Sequence, residues 1–237
     1  IMTDSTRSSL WLLDVKTGRQ LPLFADKFNY SQPRWSADSK QLAFISDQSG
    51  SRQIYLHYLA ENKTAQLSSL QQSPSNLTWA PDGKQLAFTM NVDASEADVK
   101  QRVKKVKKPA GAKWSEPAVV LDRARYQADG QGFLKPQCRQ IFVLPASGGT
   151  ARQLTSGDFH YGSDLSFTPD STALVFSANL VPDWEFQPRD SNLYRLDLTS
   201  NELTALTTMP GDESAPVFSP DGKQLAFLWQ NNALVPY

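Results

Sequence analysis

The chain has 237 residues, which is enough for one large all-β or α/β domain or for two small domains. Its composition, with 40% hydrophobic and 20% charged residues, excludes a wholly disordered chain. Because 24 basic residues balance 24 acidic residues, the charge gives no support to nucleic acid or an anionic membrane as a partner.

Few residues of the chain could hold a metal ion or form a disulfide. The single cysteine, Cys138, excludes an intrachain disulfide and a metal site built from cysteines. The histidines number two, His57 and His160, so we expect no metal and no cofactor. No apolar run reaches the roughly 18–20 residues that a membrane-spanning helix needs, and we expect no membrane partner.

Four segments of the chain repeat one pattern, in which an aromatic residue is followed by a turn and then by Leu-x-Phe. The four segments are residues 33–44, 77–88, 165–176 and 216–227. Their first aromatic residues are Trp35, Trp79, Phe167 and Phe218, at separations of 44, 88 and 51 positions. The period is therefore about 44 residues, with about one extra period inserted after the second copy.

Each copy has the chemistry of a β-hairpin. In the Ser/Thr/Ala-Pro-Asp-Gly turn, proline presets φ, the aspartate bonds its own backbone, and glycine takes a positive φ. A second hairpin follows the first in each period, at residues 10–21, 54–67, 141–155 and 193–207. Four antiparallel strands in about 44 residues are typical of a β-propeller blade, whereas the strands of a β-sandwich do not repeat their sequence at this period.

The sequence thus predicts an all-β fold, a β-propeller of four-stranded antiparallel blades with about four blades present, in one domain over residues 1–237. Residues 1–5 align with residues 45–49, so the chain starts and stops inside blades. Its two ends could pair and close a four-bladed ring, or the chain could be an arc of a larger propeller. We favour the arc, because larger rings are commoner for this type of blade.

A long insertion at about residues 91–139 interrupts the third blade. It contains a lysine-rich run at residues 100–108, which we interpret as a solvated loop because no aromatic residues interleave with the lysines. Residues 129–133, Asp-Gly-Gln-Gly-Phe, lack the Gly-Lys-Ser/Thr ending of a phosphate loop and predict a turn. Nucleic acid is therefore not an expected partner.

No catalytic residues are predicted. The nucleophile motif Gly-x-Ser-x-Gly of α/β-hydrolases is missing from the sequence. His57 lies in an apolar strand, where we expect a packed side chain, and His160 lies in a loop between blades with no nucleophile signature beside it. Nothing around Cys138 suggests a lowered thiol pKa.

The candidate binding residues lie in the loop at residues 177–191. This loop and the 91–139 insertion both follow a Leu-x-Phe-type strand, so both should project from one face of the propeller. Trp184 and Glu185, with Arg189 nearby, could there bind a peptide end or a partner domain. The alternative is that Trp184 and Phe186 merely pack this loop onto its own blade.

The repeat Trp-Ser-Pro-Asp-Gly-Lys-x-Leu-Ala-Phe resembles the propeller repeat of two groups of proteins. One group is the TolB-like periplasmic propellers, and the other is the N-terminal domain of prolyl oligopeptidase-family serine peptidases. Three further segments, at residues 125–133, 139–143 and 148–157, resemble the acylaminoacyl-peptidase and dipeptidyl-peptidase branch of the second group.

The second resemblance implies a parent serine peptidase, with a C-terminal α/β-hydrolase domain that carries the catalytic serine, aspartate and histidine. The propeller would restrict access to short peptides, and its partners would be a short peptide substrate and the hydrolase domain of the same polypeptide. No position of this chain matches the triad motifs. The alternative is a TolB-like protein-binding propeller without enzymatic activity. One cysteine fits the cytoplasm and the periplasm equally.

Overall fold

The computed structural model of the protein describes residues 6–93, 111, 123–130 and 132–231. Within these residues the chain forms the strands β1–β18 and no helix. None of the described segments forms a helix long and apolar enough to cross a membrane.

Twelve of the strands form three antiparallel four-stranded sheets, which are the complete blades. The first blade contains β3 (Tyr30–Trp35), β4 (Gln41–Ser46), β5 (Gln53–Tyr58) and β6 (Lys63–Gln66). The second blade contains β7 (Pro74–Trp79), β8 (Gln85–Asp93), β11 (Gln137–Pro145) and β12 (Arg152–Gln153). The third blade contains β13 (Leu165–Phe167), β14 (Ala173–Ala178), β15 (Asn192–Asp197) and β16 (Leu203–Ala205).

Three two-stranded sheets complete the described structure. They are β1 (Leu10–Leu13) with β2 (Gln20–Phe24), β9 (Gln127–Ala128) with β10 (Gly132–Phe133), and β17 (Asp212–Phe218) with β18 (Leu225–Gln230). The four repeated hairpins and the four second hairpins predicted from the sequence are all present, which confirms the all-β propeller. The pairs β1–β2 and β17–β18 lie in separate sheets, so the described blades form an arc and these pairs do not close a four-bladed ring.

The edges of the predicted insertion differ from the sequence-based bounds. The strands β8 and β11 pair continuously from Gln85 with Pro145 to Asp93 with Gln137. Residues 91–93 and 137–139 are therefore paired strand, because the hairpin ladder continues past the Leu-x-Phe motif. The lysine-rich run at residues 100–108 lies outside the described residues.

The second strand of each complete blade is buried on both sides over most of its length. In β4, the side chains of Leu42 and Phe44 pack in a cluster towards β1–β2, whereas those of Ala43 and Ile45 pack in a cluster towards the second blade. Successive strand residues point to opposite faces of a sheet, so one strand serves two interfaces between blades. This explains why Leu-Ala-Phe reads as a continuous apolar run.

Side chains of the innermost strands link one blade to the next. In β3, the Oε1 atom of Gln32 accepts a hydrogen bond from the backbone N–H of Leu77 at 2.9 Å. In β7, the Nδ2 group of Asn76 donates to the carbonyl oxygen of Gly162 at 3.0 Å. Gln32 and Asn76 both have a φ of 52°, at β-bulges that turn their side chains towards the neighbouring blade.

The two ends of the blades differ, and we name them by what they carry. The turn face carries the short turns between first and second strands, at residues 36–40, 80–84, 168–172 and 219–224. The loop face lies at the opposite end and carries the connections between second and third strands and between blades. The insertion and the 179–191 loop both leave second strands, so both emerge on the loop face.

On the turn face, the predicted aspartate turns are present. The Oδ1 atom of Asp38 accepts hydrogen bonds from the Ser36 hydroxyl at 2.7 Å and from the Lys40 N–H at 3.1 Å. The hydrogen bond from Ser36 is the largest influence on the pKa of Asp38 and lowers it. Asp170 and Asp221 make the same contacts in the third and fourth copies. These carboxylates are occupied within their own turns.

Candidate functional site

An open cavity of about 850 Å³ lies on the loop face. Its walls come from the end of the insertion, the start of β11, the β12–β13 connection, the end of β14 and the 179–191 loop. Three aromatic rings line it, those of Phe133, His160 and Trp184. Among the residues that the structure describes, no group of three or more histidine, cysteine, aspartate or glutamate side chains could hold a metal ion.

Trp184, one of the candidate residues, lines this cavity. Its Nε1 group donates to the carbonyl oxygen of Asp158 at 3.0 Å, and its ring meets that of His160 in a T-shaped contact at 5.1 Å. Trp184 therefore attaches the 179–191 loop to the β12–β13 connection and also forms one wall of the cavity.

Glu185 also lines the cavity, but both of its carboxylate oxygens are occupied within the protein. The Oε1 atom accepts from the Nη1 group of Arg123 at 3.0 Å, and Oε2 accepts from the N–H of Ala124 at 2.9 Å. The side chain of Glu185 is 17% exposed. Its position thus makes it an attachment point for the insertion on the 179–191 loop.

The remaining loop residues are more exposed. Arg189, the third candidate, is exposed and does not line the cavity, and its binding role stays a prediction. Phe186 is 78% exposed, so it does not pack the loop onto the blade. Trp184 packs the loop against the β12–β13 connection between the second and third blades, which differs from the predicted alternative of packing onto its own blade.

Arg123 is the centre of an ion-pair cluster that the sequence analysis did not single out. Its Nη2 group donates to Oδ1 of Asp158 at 2.5 Å, in addition to its contact with Glu185. The hydrogen bond to Asp158, the largest influence, raises the pKa of Arg123, and the bond to Glu185 acts in the same direction. Two segments that are 35 and 62 positions from Arg123 are thereby joined to the insertion.

Cys138 belongs to the same cluster and is protected from ionisation. Its Sγ atom donates to Oδ1 of Asp158 at 3.2 Å. Burial and then the interaction with Asp158 raise the pKa of the Cys138 thiol to about 12. Because the thiolate is the reactive form of cysteine, this raised pKa disfavours a nucleophilic role for Cys138.

The two histidines have different surroundings, and of the two only His160 lines the cavity. The Nδ1 atom of His160 accepts a hydrogen bond from the backbone N–H of Arg139 at 3.1 Å, and no described hydroxyl or thiol is bonded to its ring. Burial, and then the positive charge of Arg139, lower the pKa of His160, so the ring is neutral at pH 7. His57 is buried in β5 away from the cavity, where its Nδ1 atom lies 3.0 Å from the hydroxyl oxygen of Thr64 and its ring packs edge-on against Phe24. The site can therefore bind, but its described residues offer no activated nucleophile.

Three basic residues line the cavity without a salt bridge to any described carboxylate; they are Arg125, Lys135 and Arg139. Arg139 is partly buried, and its Nε group donates to the carbonyl oxygen of Tyr161 at 3.3 Å. Burial lowers the pKa of Arg139, and the charge of Asp164 opposes this effect. Basic and aromatic side chains thus line the cavity side by side.

Comparison with known families finds a match in the second half of the chain. Residues 122–236 match the family model for the dipeptidyl peptidase IV (DPP IV) N-terminal region. The uncharacterized peptidase YuxL of Bacillus subtilis is 32% identical over 180 residues, which cover 75% of this chain and 26% of that protein. The chain thus spans about a quarter of the length of this relative.

Solved structures show the same fold. The acylaminoacyl peptidase of Pyrococcus horikoshii superposes with a TM-score of 0.61 at 13% identity, over 92% of this chain and 30% of that one. TolB of Acinetobacter baumannii superposes with a TM-score of 0.60 at 17% identity, over 94% of this chain and 43% of that one. The family match and the peptidase relatives confirm the predicted resemblance to the N-terminal propeller of prolyl oligopeptidase-family peptidases.

Proposed function

We propose that this chain is the non-catalytic domain of a serine peptidase of acylaminoacyl-peptidase or dipeptidyl-peptidase type. The premise is that the chain is the N-terminal propeller of a prolyl oligopeptidase-family peptidase. In this proposal the propeller gates the access of short peptides to an α/β-hydrolase domain elsewhere in the same polypeptide. The observation that carries the proposal is the match of residues 122–236 to the dipeptidyl peptidase IV N-terminal region.

The loop face supports a gating role. The turn face carries short turns, whereas the loop face carries the insertion and the 179–191 loop around an open cavity. Glu185 holds the insertion in place through Arg123 and through the N–H of Ala124. A wall fixed by ion pairs and hydrogen bonds excludes large substrates better than a free loop does, because its displacement requires these contacts to break.

The chemical step belongs to the hydrolase domain. A serine there would attack the peptide carbonyl, with a histidine as general base, to form an acyl-enzyme that water then hydrolyses. The residues of this chain would contribute by binding the peptide, by orienting it and by excluding folded proteins. The neutral His160 and the protonated Cys138 are consistent with this division of roles.

The experiment uses the full-length protein and chromogenic peptides and acyl-amino acids, followed by a series of peptides of about 4 to 30 residues. We expect hydrolysis of the short peptides and a fall of kcat/KM with length. Glu185→Gln should weaken the attachment of the insertion and relax the length limit, while the exposed Glu202→Gln on the turn face serves as the matched control.

Either of two results would overturn the proposal. One is equal kcat/KM for short and long peptides, which would remove the gating role. The other is a full-length protein without any peptidase activity. The second result would favour the TolB-like protein-binding propeller, which the superposition of TolB on 94% of this chain also supports as a fold.

A further inference from the structure

The side chains that line the loop-face cavity are more often basic than acidic. Arg123, Arg125, Lys135 and Arg139 line it, whereas Glu185 is the acidic residue of the lining. The carboxylates of Glu185 and Asp158 are both paired with Arg123. The charge of Asp164 acts on Arg139, but among the described residues Arg125, Lys135 and Arg139 form no salt bridge.

Arg139 is the best placed of these three cations. It lies at the start of β11, and its Nε group is fixed by the carbonyl oxygen of Tyr161. Its two terminal amino groups have no hydrogen-bond acceptor among the described residues. Partial desolvation of a guanidinium is unfavourable, and a carboxylate that binds it with two parallel hydrogen bonds offsets the cost.

The aromatic wall restricts the kind of anion. His160 and Trp184 pack against each other, and Phe133, which is 60% exposed, lies across the cavity lining. A small hydrated inorganic anion gains nothing from such a wall, whereas an apolar group next to a carboxylate does. A peptide can supply both an apolar side chain and a carboxylate.

We propose that this cavity binds a carboxylate group of a short peptide, with Arg139 and Arg125 as its ligands and Trp184 as the apolar wall beside it. That the ligand is a peptide rests on the proposed function. That it is an anion rests on the excess of basic side chains that line the cavity. The carboxylate can be the C-terminus of the peptide or an acidic side chain, and the experiment separates the two.

The experiment measures binding to the full-length protein by isothermal titration calorimetry. The probes are N-acetylphenylalanine, its amide, and the α-amide of N-acetylaspartate, whose carboxylate is on the side chain. None has a peptide bond between two amino acids, so binding does not depend on peptidase activity. We expect the C-terminal or the side-chain carboxylate to bind at least about 10-fold more tightly than the amide probe, the range of a charge-assisted hydrogen bond.

Three variants test the two proposed ligands. Arg125→Gln, at an exposed position, and Arg139→Gln should each weaken carboxylate binding about 10-fold and leave amide binding unchanged. Arg139→Lys keeps the charge without the two parallel hydrogen bonds and should fall between the native protein and Arg139→Gln. The matched control is Arg19→Gln, in the turn between β1 and β2 on the turn face.

The outcomes are separable. Equal binding of carboxylate and amide probes, or full carboxylate affinity in folded Arg125→Gln, would overturn this proposal. If Arg139→Gln does not fold, the carboxylate affinity of Arg125→Gln, at an exposed position, tests the proposal. Carboxylate binding in a protein that hydrolyses no peptide would support the anion site and overturn the proposed function. Peptidase activity without any carboxylate preference would do the opposite.

Discussion

The two faces of this propeller arc lie at opposite ends of the same strands, but their connections differ in length and in regularity. On the turn face, each copy of the repeat makes a similar short turn, and an aspartate bonds to its own turn in each of the four copies. On the loop face, the connection after β4 has six residues, whereas the connection after β8 spans residues 94–136. The repeated turns thus make contacts within themselves, whereas the connections that differ between copies surround the cavity.

This difference has a physical reason. A tight turn between two strands has few solutions, so its residues are selected for local backbone geometry. A long connection is constrained only at its ends, and its length costs little in stability. Binding residues can therefore vary on the loop face while the blades remain unchanged. The predictions that follow probe this contrast, from the largest expected effect to the smallest.

The largest effect is expected at Gln140, a buried residue of the loop-face end of β11. Its Nε2 group donates to the carbonyl oxygens of Gly157 and Phe159, and its Oε1 atom accepts from the hydroxyl of Thr155. Gln140→Ala leaves these groups unpaired and should lower the free energy of unfolding by about 2–4 kcal/mol. Urea unfolding followed by tryptophan fluorescence measures it.

The matched control for this variant is Gln41→Ala, at the turn-face end of β4. Gln41 is only partly buried, and we expect a change within about 0.5 kcal/mol. Similar losses for Gln140→Ala and Gln41→Ala would contradict the contrast between the two faces.

A smaller loss is expected for the attachment of the insertion. Glu185→Gln removes the charge that pairs with Arg123, in a contact whose side chains are 17% and 24% exposed. The free energy of unfolding should fall by about 1 kcal/mol, because the pair is partly screened by water. Limited proteolysis should cut more quickly near residues 123–130, and Glu202→Gln should leave the cleavage pattern unchanged. An unchanged cleavage rate in Glu185→Gln would show that the ion pair does not hold the insertion.

The turn face offers a change that stabilises the protein. Ser39 is exposed and has a φ of 59°, a conformation in which a side chain is strained. Ser39→Gly should raise the free energy of unfolding by about 0.5–1 kcal/mol. Ser171 has a φ of 61° at the same position of the third copy, but its hydroxyl oxygen accepts from the N–H of Asp82. We therefore expect a smaller gain for Ser171→Gly, and a melting-temperature increase equal to that of Ser39→Gly would contradict this explanation.

The smallest effect concerns acid stability. Since Ser36 lowers the pKa of Asp38 in the folded state, the Asp38 carboxylate contributes stability above its ordinary pKa of 3.8. This stability is lost as the pH falls below 3.8, through the lowered pKa of the folded state. Ser36→Ala should raise the pKa of Asp38 towards its ordinary value and reduce the acid-dependent loss. An NMR titration of the Asp38 carboxyl carbon measures the shift, and Ser219→Ala should affect Asp221 and leave Asp38 unchanged.

Part of the site could be predicted from the sequence. The positions of the insertion and the 179–191 loop on one face follow from strand order, and Trp184 and Glu185 line the cavity there. The roles of Arg123 and Asp158 were missed, because neither lies in a repeated motif. The pairing of Arg123 with Glu185 joins residues 62 positions apart, and no local pattern in the sequence predicts such a contact.

The sequence alone determined the blade. A period of about 44 residues, turn residues at fixed offsets and apolar residues two apart specify four antiparallel strands through contacts between residues near each other in the chain. Only the tertiary structure decided the chemistry of the loop face. There the partners of Arg123 lie 35 and 62 positions away, and Arg139 lines the cavity without a salt bridge to a described carboxylate. These contacts join residues far apart in the chain, and the sequence repeat does not predict which of them meet.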